Sequence, residues 1–200
     1  MINSIIFDFG DIFINLDKEG TANEFKKLGL ENFNPEIMKR NDLFEKGQIS
    51  EIAFLESFQK FIPDASTDEI KIAWNRIIGD FPLYRLEFLQ NLVGKYRLFL
   101  LSNTDAIHIN HFNNKFGESF SKAFYACFEK VHYSYEMGMR KPQSNIYQHL
   151  IELHKLSPTH TLFVDDKKEN TDAAKSLGLK VWNLQVGKED VVDLFDKNIV

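Results

Sequence analysis

The chain has 200 residues, 44% of them hydrophobic and 14% aromatic, enough for one sizeable core or a core with a smaller satellite and too much for a disordered chain. A formal charge of −5 argues against a polyanion binder, because nucleic-acid-binding proteins gather a basic excess, so no nucleic-acid partner is expected. One cysteine, Cys127, permits no internal disulfide and reads as a small buried hydrophobe in a reducing compartment. No stretch combines the basic start, apolar run and small-residue cleavage site of a secretory leader, and no run of 18 apolar residues could cross a bilayer. A cytoplasmic protein without a membrane partner is therefore expected.

In chain order, the first predicted element is a strand at Ser4–Asp8 (SIIFD). From about 16 to 84 the pattern turns helical, with Ile52, Leu55, Phe58 and Gln59 at one helical spacing and Ile70, Ala73, Trp74 and Ile77 at another. Ser50 precedes the first of these as an N-cap, and Gly47 and Pro63-Asp64 mark turns. Further strands follow at Arg97–Ser102 (RLFLLS), Thr161–Asp165 (TLFVD) and, more weakly, Lys180–Leu184 (KVWNL). Their near-continuous hydrophobicity suits a parallel sheet buried on both faces. Between them, Ile146, Tyr147, Leu150, Ile151 and His154 predict a helix whose first turn carries Pro142, and Ala173, Ala174 and Leu177 lead to a C-terminal Gly178. The expected fold is a doubly wound, Rossmann-like parallel α/β sheet made of residues 1–15 and 85–200, with residues 16–84 inserted as a helical unit after the first strand.

Three strands end on polar residues: Asp8, then Ser102-Asn103-Thr104, then Asp165-Asp166. In an open α/β sheet ligands bind at the carboxyl ends of strands, so these distant residues are expected to share one edge. Carboxylates on a rigid edge make a hard-oxygen site for Mg²⁺, which takes one or two protein carboxylates and shares a substrate phosphate. A hydroxyl such as Ser102, backbone N–H groups and a lysine would hold the phosphate oxygens. Lys141, in GMRKPQSNIY, is the candidate lysine.

These segments, FDFGD, LLSNT, MRKP and FVDDKKEN in that order, resemble the motifs of the haloacid dehalogenase superfamily, most of whose members are Mg²⁺-dependent phosphatases. Gly10, GMRKP and IYQHL are similar to the bacterial branch that contains α-D-glucose-1-phosphate phosphatase. The resemblance implies Asp8 as a nucleophile that forms an aspartyl-phosphate on a small phosphomonoester substrate, with sugar phosphates favoured. It implies Ser102 and Asn103 at the phosphate, and Lys141 neutralising the charge of nucleophile and phosphate. Mg²⁺ would sit on Asp8, the Gly10 carbonyl and Asp166, with Asp165 behind it and Asn170 bracing the loop. The 16–84 insertion matches that superfamily's cap, and the protein is expected as a monomer or weak dimer.

One position departs from the pattern. Most phosphatases of the superfamily carry a second Asp two places after the nucleophile, where it protonates the leaving oxygen; here that residue is Gly10. Asp11 is not a simple substitute, because adjacent residues of an extended segment point to opposite sides, and it reads as a loop or helix-entry acid. Lost acid–base help would cost about 10²–10⁴-fold, so a non-catalytic phosphate and metal binder is one alternative. A metal-free dehalogenase is another, disfavoured because crowding Asp165 and Asp166 without a cation gains nothing. A receiver domain places its acid pair before the phosphorylated Asp, and neither G-x-x-x-x-G-K-[ST] nor G-x-G-x-x-G is present. The six histidines show no metal-ligand spacing and read as packing or solvated residues. Lys167-Lys168 reads as surface charge. Trp74 and Arg76 could line a lid over the substrate, and Phe44 and Glu45 carry the same ambiguity.

Overall fold

Every side chain of Ser4–Phe7 (β1) is buried, because this strand is the middle of a five-stranded parallel sheet of order β3-β2-β1-β4-β5. The computed structural model describes residues 1–197 and 199. After β1 come α1 (Lys18–Lys27), α2 (Pro35–Phe44), α3 (Glu51–Gln59), α4 (Thr67–Asn75) and α5 (Leu83–Leu92). Then follow β2 (Arg97–Ser102), α6 (Ala106–Phe116), α7 (Glu118–Tyr125), β3 (Lys130–Tyr133), α8 (Ser134–Met137), α9 (Ser144–His154), β4 (Thr161–Asp165), α10 (Lys168–Ser176) and β5 (Lys180–Asn183). None of the described helices is long and apolar enough to cross a membrane.

The two-residue period of the strands divides their apolar residues between two cores. Ile5, Phe7, Leu98, Leu100, Leu162 and Val164 enter the cluster beneath α5, α6 and α7. Ile6, Phe99, Leu101 and Phe163 enter the opposite one, against Ile146, Tyr147 and Leu150 of α9 and Ala174 of α10. Four strands fall at the predicted places; β3 was not foreseen.

Helices α1–α4 enclose a third core of Phe25, Phe44, Phe54, Phe58, Ile70 and Ala73. The Ser50 hydroxyl accepts from the Ala53 N–H at 3.2 Å, as an N-cap does. In α3 the buried stripe is Phe54, Leu55 and Phe58, whereas Ile52 lies on the outward face and is exposed. Pro142 also departs from expectation. Gln143 is extended, so α9 starts at Ser144 and the proline precedes the helix instead of lying in its first turn.

The chain enters and leaves this helical unit through two strand-like passes, joined by Asn15 N–H to the Asp80 carbonyl (2.8 Å), Gly79 N–H to Asn15 (3.0 Å) and Asp17 N–H to Ile77 (2.9 Å). A Cβ at Gly79 would come within 2.4 Å of the Asn15 carbonyl oxygen, so the close crossing requires glycine. From the other side Ile107 of α6 packs into the helical unit's core, and Gly47, with φ 63°, lies so close to the Tyr135 carbonyl that a Cβ would meet it at 2.3 Å.

Phe54 is fully buried and its ring contacts Phe44, Phe58 and Trp74. Phe54→Ala is expected to cost about 3–5 kcal/mol, the usual penalty for emptying a core aromatic site, read as a lower urea midpoint; a midpoint equal to that of the wild type would contradict the packing described.

Candidate active site

The sheet's carboxyl edge assembles the site. Asp8 continues β1, its N–H donating to the Val164 carbonyl at 2.9 Å, and Asp165 closes β4 with Asp166 next in the chain. Lys141 arrives from the loop between α8 and α9 and is 1% exposed. Its Nζ lies 2.7 Å from Asp8 Oδ1 and 2.7 Å from Asp165 Oδ2. Asp165 is saturated with donors, since it also accepts from the Lys167 N–H (2.8 Å) and from Asn170 Nδ2 at both oxygens (2.9 and 3.0 Å). Asn170 is itself tied by the Tyr147 hydroxyl on its carbonyl at 3.0 Å.

One carboxylate oxygen from each of Asp8, Asp165 and Asp166 falls within 4.8 Å of the others. Burial pushes the Asp8 carboxyl up to about 7; Asp165 and Asp166 add to the rise and Lys141 works against it. The Asp166 carboxyl is raised as well, by burial and then by Asp165. Burial opposes the Lys141 charge, but Asp165 and Asp8 outweigh it and hold the ammonium above its ordinary value. One ammonium against three carboxylates leaves unmet negative charge. Among the described residues no protein donor reaches Asp8 Oδ2 or the Asp166 carboxylate, so the donor set fits a hard divalent cation.

Ser102 is buried and lines a cavity of about 190 Å³ together with Asp8, Gly10, Asn103, Lys141 and Asp166. Both ends of the Asn103 amide are used on Lys141, Oδ1 accepting from its N–H (2.9 Å) and Nδ2 donating to its carbonyl (2.8 Å). Asn103 thus positions the Lys141 backbone. Ser134 ties the same edge together, its hydroxyl accepting from the Thr104 N–H and donating to the Thr104 carbonyl, both at 3.0 Å.

Gly10 lines the cavity and Asp11 does not. With φ 56°, Asp11 carries its carboxylate to the Leu16 N–H (3.0 Å) and to Lys18 Nζ (2.5 Å), which is the loop-acid role expected of it.

The helical unit supplies Leu16, Glu45, Trp74 and Ile77 to the cavity. Arg76 does not take part; it pairs with Asp17 at 2.7 Å and faces away. Lys167 is exposed, as expected, and also lines the cavity, while Lys168 pairs with Asp172 on α10. His108 packs, as expected, and also lines the cavity. Its Nδ1 is 3.1 Å from Asp105 Oδ2, its Nε2 is 3.1 Å from the Trp74 carbonyl, and its ring stacks on Trp74 at 5.0 Å. Trp74 Nε1 donates to the same Asp105 oxygen at 3.0 Å. The available signal was Asp105, one place after SNT and three before His108, which is N-cap spacing.

The sequence matches the haloacid dehalogenase-like hydrolase family over residues 3–178. The chain belongs to that family. Among relatives of this hydrolase is the D-ribitol-5-phosphate phosphatase of Bacteroides thetaiotaomicron, 28% identical over 199 residues, covering 94% of this chain and 95% of the relative. A magnesium complex of a haloacid dehalogenase family enzyme from the same organism superposes with a TM-score of 0.87 at 33% identity, covering 97% and 98% of the two chains. A complex of that enzyme with magnesium and inorganic phosphate gives 0.81 at 31% identity, covering 94% and 97%.

Burial opposes the His108 charge, but Asp105 and the Trp74 carbonyl more than offset it, and the imidazole titrates above its ordinary 6.5. Its raised value means that the stabilisation is fully present below about pH 6.5 and is lost as pH rises through the native value. His108→Gln is therefore expected to lower the urea midpoint more at pH 5.5 than at pH 9; a larger loss at pH 9 would contradict an imidazolium clamped by Asp105.

Proposed function

We propose that this haloacid dehalogenase-like hydrolase is a Mg²⁺-dependent phosphatase of small phosphorylated metabolites, with phosphorylated sugars and sugar alcohols favoured. The observation that carries the reading is Lys141 Nζ at 2.7 Å from both Asp8 and Asp165, with the Asp166 carboxylate within reach of both acids. The Lys141 ammonium, anchored by Asp165, works against the rise that burial imposes on the Asp8 carboxyl and offsets charge beside an incoming phosphate. The named activity of the Bacteroides relative and the small size of the cavity support the substrate class.

Asp8 Oδ attacks phosphorus, the bond to the leaving oxygen breaks, and an aspartyl-phosphate forms that water then hydrolyses. The Ser102 hydroxyl donates to a phosphoryl oxygen, Lys141 balances charge on nucleophile and phosphate, and Asn103 fixes the Lys141 backbone. Asp8, the Gly10 carbonyl and Asp166 would hold Mg²⁺, with Asp165 orienting Lys141 behind them; the ion supplies positive charge that offsets repulsion between carboxylate and phosphate. The helical unit within residues 16–84 serves as a cap that covers the site and excludes water. The buried Cys127 thiol suits a cytoplasmic setting.

Gly10 favours a second reading, phosphate and metal binding without turnover. The crowded carboxylates disfavour a metal-free dehalogenase. A panel of phosphomonoesters assayed with Mg²⁺ and with chelator separates these. Phosphate release that needs Mg²⁺ and falls by about 10⁴-fold or more in Asp8→Asn, as removal of a nucleophile does, is expected; Mg²⁺-dependent phosphate binding with no release from any ester would establish the binding reading instead.

A further inference from the structure

A leaving alkoxide needs a proton, and the residues nearest Asp8 in sequence do not provide one. Gly10 has no side chain, and only the end of the Leu16 side chain lies near where its Cβ would be. Asp11 is spent on Leu16 and Lys18. His108 has both ring nitrogens engaged, one by Asp105 and one by the Trp74 carbonyl.

Among the described residues three carboxyl groups line the cavity: Asp8, Asp166 and Glu45. The first two belong to the nucleophile and metal set. Glu45 comes from the helical unit, at the C-terminal end of α2, where the Phe44 ring stacked on Phe54 at 4.4 Å and the tight Gly47 turn against Tyr135 fix its backbone. We infer that Glu45 is the general acid and base of this enzyme, replacing from the cap the carboxyl missing at Gly10. The inference rests on the Asp8 reading above.

The surroundings of Glu45 suit a carboxyl that exchanges a proton. Oε1 receives one long contact from Asn41 Nδ2 (3.3 Å), and Oε2 lies 2.7 Å from Arg140 Nη2 without an aligned hydrogen bond. Arg140 is shared with Asp42 of the same helix, so its charge is not given to Glu45 alone. Burial raises the Glu45 carboxyl, Arg140 and Lys167 pull it down, Asp105 adds to the rise, and the net direction is up; His108 also faces it across the cavity.

In the first step the bond between Asp8 Oδ and phosphorus forms, the bond between phosphorus and the leaving oxygen breaks, and the Glu45 proton passes to that oxygen, releasing an alcohol. In the second the Glu45 carboxylate takes a proton from water as the water oxygen bonds to phosphorus and the Asp8–phosphorus bond breaks, returning both carboxyl groups to their starting states.

The test is kcat/KM of Glu45→Gln on two Mg²⁺-loaded substrates, ribitol 5-phosphate, whose alkoxide needs a proton, and 4-nitrophenyl phosphate, whose phenolate leaves without one. A loss of about 10²–10⁴-fold on the alkyl ester with at most about tenfold on the aryl ester is expected for a general acid, together with disappearance of the high-pH fall in the alkyl-ester profile. Arg140→Gln, which breaks the same contact between cap and core but keeps the carboxyl, should reduce both esters alike. Equal losses on the two esters in Glu45→Gln would overturn the inference and leave a structural role. Retained turnover in Asp8→Asn is read separately and would overturn the nucleophile assignment beneath it.

Discussion

A single buried ammonium organises the carboxyl edge of this sheet. Lys141 lies between Asp8 and Asp165 at equal distances, almost without exposure, and removing water from such a cluster is costly unless every partner is matched. The matching is visible around it. Asp165 draws donors from Lys167 and Asn170, Asn170 is tied by Tyr147, and Asn103 grips the Lys141 backbone from the end of β2. Four segments far apart in sequence thus hold one geometry, and Asp8, held by Lys141 through Oδ1 alone, and Asp166 line the cavity. On the proposed function this surplus of negative charge holds a cation, whose charge together with that of Lys141 receives the phosphoryl group.

The helical unit is coupled to the same edge by specific contacts. Trp74 stacks on His108 and bonds Asp105, Ile107 enters the unit's core, and Arg140, next to Lys141 in the chain, pairs with Asp42 and Glu45 of α2. The helical unit is therefore packed directly against the residues that carry charge. The paired passes at Asn15–Asp17 and Ile77–Asp80 are where a hinge would act, because they join unit and core covalently.

Much of the fold was legible because strands buried on both faces must be apolar throughout; β1, β2 and β4 announce themselves in this way. The β3 strand does not, since Lys130–Tyr133 is a four-residue edge strand whose first half reaches solvent. The acids were legible because polar residues ending apolar strands have few structural reasons to be there, whereas Lys141, in the loop between α8 and α9, was legible only through the GMRKP segment. Arg76 and Trp74 show the limit. They are two residues apart at the end of α4, and only three-dimensional packing decides that Trp74 faces the cavity while Arg76 turns to Asp17. The place of His108 beside the cavity was missed for a similar reason: its partners, Asp105 and the Trp74 carbonyl, lie on separate parts of the chain, and its charge depends on both.

The most direct test of the central claim is chemical trapping of the phosphorylated enzyme. Protein quenched during turnover of a phosphomonoester with Mg²⁺ and reduced with borohydride should carry homoserine at position 8, the product of reducing an acyl phosphate on Asp8. Homoserine at another aspartate, or an unmodified Asp8 in an enzyme that is turning over, would contradict it.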